Sequence, residues 1–180
     1  ANSFEGIDIP AVQAGLADAF AGKESAVSME ELQVAFTEIS RRLQEAQEAA
    51  AEAAAAEGDT FLAENAKRDG ITITESGLQY EVLVQGDGET PTYDSTVRTH
   101  YHGTFISGDV FDSSVARGQP AEFPVSGVIA GWTEALQLMP VGTKLKLYVP
   151  HHLAYGERGA GASIPPYSAL VFEVELLEII

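Results

Sequence analysis

Apolar positions along this chain recur with two different periods, and the change falls near residue 70. Before it, Val12, Leu16, Ala19 and Phe20 share one face of a predicted helix, with Asp8 upstream to cap it, Pro10 at N1 and Gly22 to end it. A second helix is predicted from Ser28, where Ser28-Met29-Glu30-Glu31 forms a capping box: hydroxyl and carboxylate satisfy each other's free amides. Leu32, Phe36, Ile39 and Leu43 then follow at spacings of four, three and four. That narrow seam suits another helix, from the first segment or from a second copy of the chain. An Ala-rich run from Ala46 to Ala56 prolongs the helix, and Glu38–Arg42 and Glu64–Lys67/Arg68 are spaced as supporting ion pairs. A helix reaching Asn65 covers about 40 residues and about 60 Å. Gly58 weakens it by about 1 kcal/mol relative to alanine and is the predicted bend. So long a helix cannot lie wholly on the domain that follows, and its middle reads as a solvated stalk. The competing reading of the Ala/Glu run is a flexible linker.

Beyond residue 70 the pattern alternates. Leu78 to Val84 is a strand that stops at Gly86-Asp87-Gly88, and Val97 to Ile106 is a second, closed by Ser107-Gly108-Asp109. Lys144 to Val149 places lysines on one face and leucines on the other. In Leu170 to Ile179, Leu170, Phe172, Val174 and Leu176 point inward while Glu173 and Glu175 face water. Val128 to Met139 carries the one short helical pattern between them. Antiparallel strands with one wet face, and a helix on the dry face, make an α+β domain. The chain therefore divides into an N-terminal helical segment (1–27), a long stalk helix (28–70) and a sheet domain (71–180).

Composition narrows the function classes. Of 180 residues, 27 are acidic and 10 basic, for a net charge of −17. Nucleic acid needs a basic stripe, so it is excluded as a partner, and anionic membrane surfaces are disfavoured. No apolar run approaches the roughly 20 residues of a membrane span. The absence of cysteine removes disulfides, thiolate metal sites and cysteine nucleophiles. Ala1 to Pro10 lack the pattern of a signal peptide, which points to the cytoplasm, with the periplasm as the alternative.

Several constellations could carry chemistry. His100 and His102 share a strand face and could supply two metal ligands, but no third ligand stands at a fixed spacing. Gly156 to Gly161 resembles a phosphate loop without its Lys-Ser/Thr ending or following helix. Glu122 and Glu134 have no glycosidase-like relation, and Ser113-Ser114 lack a nucleophile elbow. The aromatic set Tyr101, Phe111, Phe123, Trp132, Tyr155 and Phe172 reads either as a core or as an apolar pocket. Asp112, directly after Phe111, favours the pocket: a charge beside an apolar cluster needs a partner, and Arg117 is the candidate.

These residues resemble the FKBP-type peptidyl-prolyl cis-trans isomerases. His100-Tyr101-His102-Gly103, Val110-Phe111-Asp112-Ser113-Ser114, Gly131-Trp132, Leu153-Ala154-Tyr155-Gly156, Ile164-Pro165-Pro166 and Leu170 to Leu176 stand in that family's order and span most of 78–180. The preceding Ala-rich helix resembles the Mip/FklB-like bacterial subgroup, in which an N-terminal helical region dimerises. The resemblance implies an antiparallel half-barrel wrapped around one short helix, enclosing an apolar pocket. Trp132 would form its floor, and Tyr101, Phe111, Phe123, Val128, Ile164 and Phe172 its walls. The Ile129 amide and Tyr155 hydroxyl would supply hydrogen bonds, and Asp112, paired with Arg117, the pocket carboxylate.

The implied activity is rotation of X-Pro bonds in folding chains, with no covalent step, metal or cofactor. The implied partners are proline-containing unfolded or partly folded polypeptides, the macrolides rapamycin and tacrolimus, and a second copy of the chain. A chaperone-like client-binding module with incidental isomerisation is the alternative. Three positions depart from the family pattern: Ala121 where many members carry an aromatic wall, Ala130 for a proline, and His102 for a common threonine.

Overall fold

The computed structural model describes residues 8–24, 27–161 and 163–180; residues 1–7, Ser25 and Ala26 of the predicted 1–27 segment lie outside the described residues. Two compact units divide between Gln47 and Glu48, inside the long helix.

In the first unit, α1 (Ile9–Phe20) begins at Asp8, whose carboxylate accepts the Ala11 amide at 3.1 Å. Pro10 occupies the second helical position rather than the first, still within the turn that needs no amide donor. The second helix, α2 (Met29–Asn65), opens on the capping box: the Glu31 amide donates to the Ser28 hydroxyl at 3.2 Å, and the Ser28 amide to the Glu31 carboxylate at 2.9 Å. Glu38 accepts from Arg41 and Arg42, and these hydrogen bonds, Arg41's first, pull its carboxyl to about 2. The predicted apolar faces are open: Phe20 is 93 % exposed, Phe36 77 % and Leu16 68 %.

In the second unit, α2 is no longer solvated all round. Buried and half-buried positions recur at Ala51, Ala54, Ala55, Gly58, Phe61, Leu62 and Asn65, a stripe at helical spacing. The helix passes through Gly58 unbroken, and the glycine has a packing role that the sequence did not suggest. A Cβ on Gly58 would lie 3.0 Å from that of Ala169, and the absent side chain lets the helix approach this closely. Leu62 joins Tyr148, Ala169 and Val171 in a small cluster flanked by Phe61, Ile71 and Ile106. The sheet face predicted to be wet is thus partly covered by the last turns of α2. Asn65 donates to Gln79 at 2.8 Å, and Gln79 donates to the Leu62 carbonyl at 3.0 Å, which satisfies polar groups at the helix end. Of the two cations predicted to pair with Glu64, Lys67 does so, while Arg68 turns to Asn65, Tyr148 and Glu81.

The sheet has seven antiparallel strands: β1 (Ile71–Ile73), β2 (Gln79–Val84), β3 (Thr96–Phe105), β4 (Val110–Ser113), β5 (Ala121–Pro124), β6 (Lys144–Val149) and β7 (Leu170–Ile179). Their order is β1-β2-β6-β7-β3-β4, and β5 pairs with the first half of β3 beside β4. Two short helices interrupt them, α3 (Ser114–Arg117) and α4 (Ala130–Leu136). The predicted Val128–Met139 helix is shorter than expected because Val128 and Ile129 are extended, and the chain turns at Pro140. β1, β4, β5 and α3 were not predicted; each is only three or four residues long, too short for a period to register. Trp132, Ala135 and Leu136 of α4 pack onto the inward residues of β3, β6 and β7 in one core.

Candidate active site

Between α4 and the concave face of the sheet lies a cavity of about 450 Å³. Trp132 stands in the first turn of α4, 4 % exposed, and three rings meet its indole edge to face. Tyr101 and Phe172 have centroids 5.4 Å away and Phe123 5.8 Å, with interplanar angles of 81° to 86°. Phe111 extends the wall by meeting Phe172 at 5.5 Å and 88°. Gly103 makes this possible: a Cβ there would lie 2.7 Å from Phe111 and 3.0 Å from Phe172, so any side chain would displace both rings.

One edge of the cavity is polar. The Tyr101 hydroxyl donates to Asp112, Arg117 donates to the other carboxylate oxygen, and Arg117 also donates to the Tyr101 hydroxyl at 2.8 Å. The expected Asp112–Arg117 pair is therefore part of a three-membered ring of contacts. Burial pushes the Asp112 carboxyl up, but the hydrogen bonds from Tyr101 and Arg117 outweigh it and hold the group below the ordinary Asp range. Burial first, then Asp112, pushes the Tyr101 phenol up, and the same two causes raise Tyr155. Both phenols thus stay protonated donors beside an ionised carboxylate.

Opposite, the extended Ile129 residue caps α4, and its amide donates to no acceptor among the described residues. Tyr155 lies at the rim, 40 % exposed, with its hydroxyl likewise unpartnered among the described residues. The indole nitrogen of Trp132 is buried without a partner among the described residues. The cavity therefore combines an aromatic lining with unengaged donors and one fixed negative charge.

Nine of the eleven sequence-predicted residues line it: Tyr101, Phe111, Asp112, Phe123, Val128, Ile129, Trp132, Tyr155 and Phe172. Ile164 does not. It is 6 % exposed, bridged to Ala160 and packed in the same core cluster as Tyr101, Trp132 and Phe172. Arg117 also stands outside the lining, because Asp112 and Tyr101 occupy its guanidinium. Gly127 lines the cavity without having been singled out; a backbone-only contact leaves no chemical signal in the sequence. Ala121 is half-buried on β5 and not part of the lining. His100 and His102 face Ser114 and Ser113 on the outer side of β3, and no metal-ligating group of three or more carboxylates and imidazoles forms among the described residues.

The family model for FKBP-type peptidyl-prolyl cis-trans isomerase matches residues 87–177, and that for the domain amino terminal to FKBP-type peptidyl-prolyl isomerase matches residues 1–82. The FKBP-type 22 kDa peptidyl-prolyl cis-trans isomerase of Escherichia coli is 56 % identical over 179 residues, 99 % of this chain and 87 % of that protein. The peptidyl-prolyl cis-trans isomerase Mip of Coxiella burnetii is 40 % identical over 177 residues, 96 % of this chain and 77 % of that one. The crystal structure of FkpA from Escherichia coli superposes with a TM-score of 0.80 at 40 % identity, covering 96 % of this chain and 82 % of that one. Through both halves of its sequence and the fold they build, the chain belongs to the FKBP-type peptidyl-prolyl cis-trans isomerase family.

Proposed function

We propose that this isomerase works by seating the prolyl ring on Trp132, with the flanking amide between the aromatic wall and the Asp112–Tyr101 edge. Rotation about an X-Pro bond is slow because the twisted state loses amide resonance, a barrier of about 18–20 kcal/mol. No bond to carbon breaks, so neither nucleophile nor proton transfer is required. The twisted amide is less polar than the planar one, and an aromatic, water-poor cavity suits it better than bulk solvent does. The Ile129 amide and Tyr155 hydroxyl fix the peptide, and Asp112 orients Tyr101 and sets the local field. The observation that carries the reading is the buried Trp132, ringed edge to face by three aromatics, beside unengaged donors. Titrating a ¹⁵N-labelled sample with an Ala-Leu-Pro-Phe peptide tests it: the Trp132 indole and Ile129 amide signals are expected to shift together, and shifts confined to other surfaces would reject it.

The same reading extends to partners. Proline-containing polypeptides are the substrates. Rapamycin and tacrolimus compete for the cavity, as measured by displacement of the peptide. The exposed seam of α1 and α2 pairs two copies of the chain. Cytoplasmic residence, with the periplasm as alternative, belongs to the same proposal and is tested by cell fractionation. A chaperone-like module with incidental isomerisation is not favoured, since the pocket is fully assembled.

A further inference from the structure

The corner where β4 passes into α3 grips Tyr101 from two sides. On the cavity side, Asp112 and Arg117 hold its hydroxyl. On the outer side, Ser113 and Ser114 complete its backbone pairing where the strand ladder ends. The Tyr101 amide donates to the Ser114 hydroxyl at 2.7 Å, and the Tyr101 carbonyl lies 3.2 Å from Ser114 Oγ and 3.4 Å from Ser113 Oγ. Ser113 also accepts the Ala116 amide at 3.1 Å and so caps the helix that carries Arg117.

Each serine has a second claimant for its single proton. His100 Nδ1 is 3.1 Å from Ser114 Oγ, and His102 Nδ1 is 3.0 Å from Ser113 Oγ. A hydroxyl donates once. When Nδ1 is bare, the imidazole draws the serine proton away from the Tyr101 carbonyl. When Nδ1 carries a proton, the imidazole donates to the serine, and the serine is free to donate to the carbonyl.

We propose that His100 and His102 are positioning residues for isomerisation, acting through Ser114 and Ser113 as a proton-directed latch that fixes the Asp112 corner onto Tyr101. The groups facing the two imidazoles are few. Glu175 and Glu173 on β7 stand directly across from them, and Lys144 and Lys146 on β6 lie one strand further. Glu173 already takes Lys144 at 3.2 Å and Lys146 at 3.7 Å, and Arg98, two residues along β3 from His100, is held by Glu122 and Glu178. Val115 of α3 closes the recess and brings no charge. The proposal rests on the isomerase activity and on Asp112 belonging to the pocket, and it gives His102, a departure from the family's common threonine, a function.

The test has two arms on the full chain. In the first, ¹⁵N–¹H shifts of the Tyr101 and Ala116 amides are followed across the imidazole range, about pH 5 to 8. The latch requires both to move with the histidine titration, and amides that stay still while the imidazoles titrate overturn it, whatever the turnover. In the second, peptide turnover is measured for wild type, H100N/H102N and H100Q/H102Q. Asparagine presents a donor at the Nδ1 position, whereas glutamine reaches beyond the serine. The expected result is a wild-type kcat/KM that rises about two- to tenfold on acidification, the range of one neutral hydrogen bond. With no bare imidazole nitrogen left to draw the serine proton away, both pairs should hold the acid-side value at every pH. Equal, pH-independent turnover in all three proteins overturns the proposal while leaving the isomerase reading intact.

Discussion

Asp112 sits next to a desolvated aromatic surface and remains charged because two donors converge on it. Its folded-state pKa is depressed, so its contribution to stability is present above the ordinary Asp range near about 4 and is lost as pH falls through the lowered value. Arg117→Ala removes one donor and should move the Asp112 titration upward, read from its carboxyl ¹³C shift; an unchanged titration would remove Arg117 from the ring. Asp112→Ala should lower kcat/KM by about ten- to hundredfold, the worth of a charge-assisted hydrogen bond, in a variant that still folds but is somewhat less stable. Turnover equal to wild type would leave Asp112 without a role in the site. At this scale the sequence was informative wherever side chains are large or charged: the aromatic set and the Asp112–Arg117 pair could be read from spacing and adjacency. It was silent on Gly127; it read Arg117 as the partner of Asp112, while Ile164, carried over by the family resemblance alone, packs in the core cluster outside the lining. Linear spacing identifies neighbours but does not say which of two packed layers faces the cavity.

At the scale of elements, the long helix was legible from its capping box and Ala-rich run, while the packing role of Gly58 was not. In an isolated helix glycine is a weak point; here the helix approaches Ala169 too closely for a larger residue, and that contact is made by parts of the chain far apart in sequence. The two effects can be weighed against each other. Gly58→Ala gains about 1 kcal/mol of helix propensity, which nearly offsets a Cβ contact at 3.0 Å, and should leave stability close to wild type. Gly58→Leu has no such compensation and should destabilise the second unit by about 1–3 kcal/mol in urea unfolding. A Leu variant as stable as wild type would return Gly58 to being a passive helical position. The four long strands were likewise legible because ten or six alternating residues make a period, whereas β1, β4 and β5 are created by pairing with their neighbours.

For the molecule as a whole, each unit carries a distinct physical signature. The second buries a continuous core around α4; the first leaves Leu16, Phe20, Met29 and Phe36 between 68 % and 93 % exposed. Such a face is expected to be covered by a second copy. Phe36→Glu should therefore shift the mass measured by light scattering from dimer toward monomer while preserving turnover on a short peptide, and an unchanged mass would assign the seam elsewhere. The seam's spacing pointed to this face but left its cover open between the first segment and a second copy, and the family resemblance implied the copy. The central claim is that the Trp132 cavity itself accelerates prolyl rotation. The most direct measurement is cis/trans exchange of an Ala-Leu-Pro-Phe peptide by exchange NMR, with wild type and with Phe172→Leu, which keeps a core apolar but removes one ring from the indole. The account predicts fast exchange with wild type and at least about a tenfold loss with the folded variant. Equal exchange by both proteins, or no acceleration by a folded wild type, would contradict it.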